Sequence, residues 1–255
     1  MRHGPGSYPA VSAAGILIVT CQLLNVCEAI SMIEIIPAIM PKSYDDLVEK
    51  ATLFAGVVPM IQLDIMDGHF VPARTWPYFP GDPHFARIIS EEEGMPVWET
   101  LEFEVDLMVG RPEEAILQWI RAGARRIIVH VEGMRDFEKI RDAVPQGLIE
   151  LGLALNTTTP LSAIEPYLDH IDFVQCMGIA RIGFQGEAFD ERVLEHIRAL
   201  RALLPNLPIS VDGAVNFETA HALVDAGATR LVSGSAILES DDVALAIDDM
   251  KNLVQ

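Results

Sequence analysis

The chain has 255 residues, 50% of them hydrophobic, with 37 acidic and 18 basic side chains and a formal net charge of −19. This length and composition suit one large globular core and exclude a disordered chain. The acidic balance, without a Lys/Arg cluster, excludes nucleic acid as a partner, and an anionic ligand would need local backbone N–H groups to hold it. Three cysteines without a CxxC pair favour a reducing, cytoplasmic location, with Cys176 as a core residue.

The first 31 residues differ from the rest of the chain. The apolar run "SAAGILIVTCQLLNV" (12–26) allows three interpretations: a secretion signal, an extra helix, or a translated leader before a true start at Met32. We favour the leader, because "MIEIIPAIMP" opens directly with a strand pattern. The prediction is an atypical segment at 1–31, either disordered or helical, and one domain at 32–255 without a membrane span.

Short apolar runs alternate with amphipathic segments from residue 33 onward. Because eight strands separated by helices are the number needed for a closed parallel barrel, we predict a single-domain (β/α)8 TIM barrel rather than an open sheet. The predicted strands are 33–39, 60–66, 101–108, 125–132, 149–156, 171–177, 208–213 and 229–235.

Helix signals and one long interruption lie between these strands. Ser43 is a plausible N-cap for "YDDLVEKATLF", and Pro112 and Gly123 bracket a second helix. The interruption at 70–100 is rich in Pro, Gly and aromatic residues. We predict a loop there with a short helix, "PHFARIIS", lying over one end of the barrel as a lid or binding segment.

Polar residues mark the carboxyl ends of the predicted strands, where the active sites of such barrels lie. These residues are Asp64, Asp106, His130, Asn156, Asp212 and Ser235. For His130 the pattern favours packing over substrate contact. We therefore expect the chemistry at this end of the barrel.

Six motifs occur in a familiar order: "IPAIMP", "QLDIMDGHFVP", "VDLMVGRPEE", "GFQGEAF", "VDGAVN" and "LVSGSAI". From about residue 33 to 254 the chain resembles the ribulose-phosphate 3-epimerases. The resemblance implies a (β/α)8 barrel that inverts C3 of ribulose 5-phosphate to give xylulose 5-phosphate. It also implies a small phosphorylated ketose as substrate, a divalent metal and a homo-oligomer.

The resemblance assigns acid–base catalysis to Asp64 in "QLDIMD" and Asp212 in "SVDGAVN". Epimerisation removes a proton alpha to a carbonyl on one face and returns one on the other. Two carboxylates, one ionised and one protonated, can do this and exchange roles in the reverse reaction.

The metal site departs from the family's pattern, because Gln62 and Asp106 stand at its two histidine positions. The remaining candidate ligands, Gln62, Asp64, Asp106 and Asp212, are oxygen donors. If a metal binds, we therefore expect Mg²⁺ or Mn²⁺ rather than Zn²⁺ or Fe²⁺. In the alternative, metal-free site, Gln62 donates a hydrogen bond to the enediolate oxygen.

The resemblance also assigns a phosphate grip and an apolar lining. In the phosphate grip, Ala214 replaces a family glycine and can offer its N–H if its φ is negative, while Arg181 is expected to be solvated. The assigned grip residues are Gly183, Phe184, Gly186, Gly213, Ala214, Gly234 and Ser235, and the assigned lining residues are Met66, Met108 and Met177.

Other functions remain open from the sequence. One is a non-catalytic phosphosugar-binding barrel, and another is an epimerase of a different ketose phosphate with a changed metal site. The related decarboxylase and aldolase barrels carry Asp-x-Lys-x-x-Asp after strand three, and neither "LDIMDG" nor "EVDLMVG" has that lysine.

Overall fold

The computed structural model describes residues 33–184 and 186–255, so the predicted leader at 1–31 lies outside the described residues. The eight predicted strands pair in parallel in chain order, and β1 also pairs with β8, which closes the barrel. The predicted (β/α)8 barrel is confirmed. The strands are β1 Glu34–Ile39, β2 Met60–Met66, β3 Glu102–Met108, β4 Arg126–His130, β5 Glu150–Leu155, β6 Phe173–Met177, β7 Ile209–Asp212 and β8 Arg230–Ser233.

Helices follow most of the strands. The predicted cap at Ser43 is confirmed, since its Oγ accepts a hydrogen bond from the Asp46 N–H at 3.1 Å. None of the helices in residues 33–184 and 186–255 has the length and hydropathy needed to cross a bilayer. The helices are α1 Tyr44–Phe54, α2 His84–Ile89, α3 Pro112–Arg121, α4 Phe137–Ala143, α5 Arg192–Leu203, α6 Ala220–Ala226, α7 Ser235–Leu238 and α8 Val243–Leu253, with 3₁₀ turns at Leu161–Ala163 and Glu165–His170 between β5 and β6.

Strand residues alternate between two environments, as the pleat requires. In β2, Leu63 and Ile65 are fully buried in the main apolar core that also contains helix side chains. Gln62 and Asp64 point into the barrel, where they are also buried. Cys176 is fully buried, as predicted, and burial raises the pKa of its thiol to about 12. The barrel interior is therefore the place where polar groups interrupt the core.

Charged side chains close the amino-terminal end of the barrel. Arg126 lies 3.1 Å from Glu34 and 3.1 Å from Glu150, and Arg230 lies 3.2 Å and 2.9 Å from the same two carboxylates. Glu104 is fully buried beneath Arg126, and burial raises the pKa of Glu104 to about 7 despite the nearby guanidinium groups. This network leaves the opposite end of the barrel as the entrance.

From Trp76 onward, the interruption at 70–100 lies outside the barrel, which corrects the prediction of a lid, whereas Phe70 and Val71 pack beside Met66 and Met108. The predicted short helix is confirmed as α2, but Trp76 is fully buried in an aromatic cluster on the outside of the barrel. Its ring centroid lies 5.8 Å from that of Tyr44, 5.4 Å from Phe85 and 6.0 Å from Trp119. Burial of these large aromatic surfaces holds the segment against α1 and α3, and none of its residues lines the central cavity.

Candidate active site

Three carboxylates meet at the carboxyl-terminal end of the barrel. Asp64 on β2 is paired in register with Asp106 on β3, and Asp212 ends β7 on another side of the ring. One oxygen from each of the three side chains lies within 4.8 Å of the others. The closed sheet thus brings together the two predicted acid–base residues and one of the predicted ligands.

Gln62 joins the two carboxylates assigned to acid–base catalysis. Its Nε2 donates to Asp64 Oδ1 at 2.9 Å and to Asp212 Oδ2 at 2.8 Å. Its Oε1 is buried and has no hydrogen-bond partner among the described residues. In this arrangement the NH₂ group of Gln62, which has no lone pair to offer a cation, faces the carboxylates, and Gln62 as a metal ligand stays a prediction.

Burial and mutual charge shift the protonation of this cluster. Burial, Asp212 and Asp106 hold the pKa of Asp64 well above its usual range. Burial and Asp106 raise the pKa of Asp212 to about 7, against the lowering effect of the Gln62 hydrogen bond. Carboxylates this close cannot all be ionised at neutral pH without a compensating cation, so the pair can supply one acid and one base.

Asp106 is fully buried and held from two sides. His130 Nε2 on β4 lies 3.0 Å from Asp106 Oδ1, and Gln175 Nε2 on β6 donates to Asp106 Oδ2 at 3.2 Å. The sequence interpretation of His130 as a packing residue is therefore incomplete, since its ring nitrogen contacts a carboxylate. Burial lowers the pKa of His130, but Asp106, Glu132 and Asp212 together raise it, so the net shift is upward.

Sequence reasoning missed Gln175 and Ser210. Ser210 Oγ donates to Gln175 Oε1 at 3.3 Å, and both residues are fully buried inside the barrel. A signal was present in the sequence, because each is a polar residue at an inward position of an otherwise apolar strand. The role of each residue, however, depends on its hydrogen-bond partners on other strands of the barrel.

A cavity of about 390 Å³ opens directly above the carboxylates. Asp64 and Asp212 lie on its floor. Met66 does not line the cavity, because it is fully buried beside Val71 and Met108. The predicted residues that do line the cavity are Met108, Met177, Gly183, Phe184, Gly186, Gly213, Ala214, Gly234 and Ser235, together with the unpredicted Ile179, Asn216 and Thr219.

The turns at one end of the cavity present unused backbone donors. Among the described residues, the N–H groups of Gly183, Gly186, Ala214 and Gly234 donate to no protein acceptor. Ala214 has a φ of +54°, so the negative φ on which the sequence analysis made its N–H conditional is not observed. It adopts the left-handed conformation that a glycine would take without strain.

The backbones of two turns touch at the same end of the cavity. The Gly178 N–H donates to the Asp212 carbonyl oxygen at 2.7 Å. A Cβ at position 178 would lie 2.1 Å from the Gly213 carbonyl oxygen, so no other residue fits there without movement. This contact fixes the turn after β7, and with it the position of Asp212, against the end of β6.

Acidic side chains also lie at the end of the cavity where the resemblance assigns phosphate binding. The sequence analysis did not predict them. Glu187 and Glu218 both line the cavity. Arg181 forms an ion pair with Glu187, and its own side chain is 70% exposed, in keeping with the predicted solvated position. An anion in this cavity would therefore be bound mainly by backbone N–H groups, because no Lys or Arg lines the described part of it.

The fold and the site define a (β/α)8-barrel enzyme with a carboxylate centre at the carboxyl ends of its strands. Residues 34–238 match the Ribulose-phosphate 3 epimerase family. The chain is 30% identical to the ribulose-phosphate 3-epimerase of Bacillus subtilis over 226 residues, which cover 86% of this chain and 99% of that protein. The chain belongs to the ribulose-phosphate 3 epimerase family, and at this level the prediction of a carbohydrate epimerase is confirmed.

Further relatives agree with this assignment. The chain is 34% identical to the chloroplastic ribulose-5-phosphate-3-epimerase of Arabidopsis thaliana, over 84% of this chain and 75% of that protein. Among solved structures, a 3-hexulose-6-phosphate synthase superposes with a TM-score of 0.62 at 19% identity, over 87% of this chain and all of that one. That second likeness shows the shared barrel fold alone.

Proposed function

We propose that this protein inverts C3 of a ketose phosphate, converting ribulose 5-phosphate to xylulose 5-phosphate, with Asp64 and Asp212 as the acid–base pair. The observation that carries this proposal is the position of these two carboxylates. They come from β2 and β7, meet at the cavity floor and share one amide donor, Gln62. The names of the relatives support ribulose 5-phosphate as the substrate.

The reaction needs one ionised and one protonated carboxyl group. The ionised group takes the C3 proton, and the C–H electron pair forms the C2–C3 double bond while negative charge moves to the C2 oxygen. The protonated group on the other side then returns a proton to C3, and the carbonyl re-forms. Gln62 holds both carboxylates through one NH₂ group, which keeps their separation fixed while the protons move.

The phosphate would lie at the other end of the cavity. Within the described part of the chain, the N–H groups of Gly183, Gly186, Ala214 and Gly234 have no protein acceptor, and oxyanions bind well to such groups. Glu187 and Glu218 repel an anion at the same end. We therefore expect backbone donors, rather than side-chain charge, to supply the affinity for phosphate.

A hard divalent cation suits this site. Asp64, Asp106 and Asp212 would hold it, because their oxygens lie within 4.8 Å of one another and carboxylates are preferred ligands of Mg²⁺ and Mn²⁺. A bound cation would stabilise negative charge on the C2 oxygen and would lower the pKa values that crowding raises. Gln62 would stay beside it as a hydrogen-bond donor.

Proton exchange with solvent tests the proposal. Purified protein is incubated with ribulose 5-phosphate in D₂O, with and without added Mn²⁺, and C3 is followed by NMR. We expect deuterium at C3 and conversion to xylulose 5-phosphate. Asp64→Asn and Asp212→Asn should each lower the rate by at least about 100-fold, the lower part of the range for general acid–base groups.

A matched control is Asp248→Asn, an exposed carboxylate in α8, which should leave the rate unchanged. Binding of ribulose 5-phosphate without any exchange would favour the non-catalytic phosphosugar-binding barrel instead. Exchange with a different ketose phosphate alone would favour the changed-substrate alternative. The homo-oligomeric state and the cytoplasmic location remain predictions from the sequence.

A further inference from the structure

His130 is a buried polar residue that the proposed reaction does not use. It ends β4, its side chain is 1% exposed, and the ring of Phe70 packs against it with a centroid separation of 5.3 Å. Its Nε2 lies 3.0 Å and 3.3 Å from the two oxygens of Asp106. Its Nδ1 is buried without a hydrogen-bond partner among the described residues and lies 3.9 Å from Glu132.

The contact between His130 and Asp106 belongs to a chain of hydrogen bonds across the barrel. Gln175 donates to the same Asp106 carboxylate at 3.2 Å, and Ser210 donates to Gln175 at 3.3 Å. These four residues come from four different strands, β4, β3, β6 and β7. His130 and Gln175 lie on separate strands and both bond to the same oxygen, Asp106 Oδ2, so a carboxylate that turned away would break both bonds.

The orientation of Asp106 matters to the acid–base pair. Asp106 is in register with Asp64, and one oxygen from each of Asp64, Asp106 and Asp212 lies within 4.8 Å of the others, so a charge on Asp106 acts on both neighbours. Since the strength of these effects depends on distance, a carboxylate that turned away would change the proton affinity of both neighbours.

We infer that His130 is a positioning residue, which acts through Asp106 by fixing the orientation of that carboxylate beside Asp64 and Asp212. The inference rests on the proposed function. The inference takes the tautomer of His130 in which Nε2 carries the proton and donates it to the Asp106 carboxylate. Partners of this kind, which touch neither substrate nor metal, orient the groups that do.

Two substitutions at His130 separate positioning from packing. His130→Phe keeps a ring of similar size and removes the donor, whereas His130→Gln keeps a donor close to the Nε2 position. We expect His130→Phe to lower kcat by about 10- to 100-fold, as loss of such orienting partners does. KM should change by less than about twofold, because the phosphate grip lies elsewhere. His130→Gln should recover most of the rate.

A double-mutant cycle tests whether the effect passes through Asp106. In an Asp106→Ala background, His130→Phe should change kcat by less than about threefold, because the acceptor of the contact is already lost. His221→Phe, at an exposed position of α6, is the control and should have no effect. The inference would be overturned if the fold losses in kcat of the two single variants simply multiplied in the double variant. A wild-type kcat in His130→Phe would also overturn it.

A spectroscopic readout does not depend on activity. In protein labelled with ¹⁵N-histidine, the Nε2–H of His130 should give a low-field, hydrogen-bonded resonance that disappears in His130→Phe and shifts in Asp106→Asn. Absence of this resonance from wild-type protein would overturn the inference. Wild-type protein that shows the resonance but no exchange at C3 would instead overturn the proposed function, so the two failures are distinguishable.

Discussion

Replacing Gln62 by leucine removes the amide that joins the two proposed acid–base carboxylates. The leucine side chain has a similar length and is apolar, so the hydrogen bonds of 2.9 Å to Asp64 and 2.8 Å to Asp212 are lost. Both bonds favour the ionised carboxylates, because a donor stabilises a negative acceptor. Their loss must therefore raise the pKa values of the pair.

The size of the effect follows from the strength of such bonds. A hydrogen bond to a charged group contributes about 1.5–3 kcal/mol, and about 1.4 kcal/mol corresponds to one pKa unit. The pKa of Asp212, raised to about 7 in the native site, should thus increase by about one to two units further in Gln62→Leu. At pH 7 fewer of the molecules hold an ionised base, and kcat/KM should fall by about 10- to 100-fold.

The assay is the pH dependence of kcat/KM for ribulose 5-phosphate epimerisation. We expect the acidic limb, which reports the coupled pair, to move to higher pH by about one to two units. The shift should be present both with a chelator and with added Mn²⁺, because the Gln62 NH₂ is not a ligand. Gln118→Leu, on the exposed face of α3, is the control. An unmoved acidic limb in Gln62→Leu would refute this reasoning.

Three further predictions concern stability. The folded pKa of Glu104, about 7, exceeds its unfolded value of 4.5, so its ionisation destabilises the fold as pH rises through this interval. We expect the unfolding free energy of Glu104→Gln, measured by chemical denaturation relative to wild type, to rise by about 3 kcal/mol between pH 4.5 and pH 8. A difference between the two proteins that does not change with pH would contradict this. Gly178→Ala should lower the unfolding free energy by about 1–3 kcal/mol, because its Cβ would meet the Gly213 carbonyl oxygen at 2.1 Å; an unchanged Tm would exclude this contact. Ala214→Gly should raise the unfolding free energy by about 1 kcal/mol by relieving a φ of +54°, and calorimetry showing a lower Tm would argue against strain there.

The strands and their order were predictable because the signal is local. An apolar run with polar residues at its end marks each strand, and all eight predicted segments contain the observed ones. The N-cap of α1 followed from a single residue, Ser43, placed just before an amphipathic run. The same local rules placed the segment at 70–100 over the barrel mouth, and from Trp76 onward they failed. Whether Trp76 packs outside the barrel or above it depends on Tyr44 and Trp119, which no local pattern reports.

The candidate site likewise has a part that the sequence predicted and a part that it did not. The motifs identified the three aspartates, and parallel strands in a closed ring must end together at one face. The sequence did not predict the roles of the residues around these aspartates. His130 looked like a packing residue because nothing in its own strand reveals Asp106 as its partner. The φ of Ala214 is likewise set by the turn against Gly178 rather than by the alanine itself.

The sequence by itself determined the barrel, the family and the residues that bear carboxylates, because periodicity and motifs are properties of neighbours along the chain. Only the tertiary structure decided which atom of Gln62 meets Asp212, a residue 150 positions away in the chain. It also decided which partners hold Asp106, and that Met66 is covered by Val71 and Met108 rather than exposed on the cavity wall. Hydrogen bonds, burial and the pKa shifts they cause act over a few ångströms in space, and closure of the strands into a ring sets which side chains come that close.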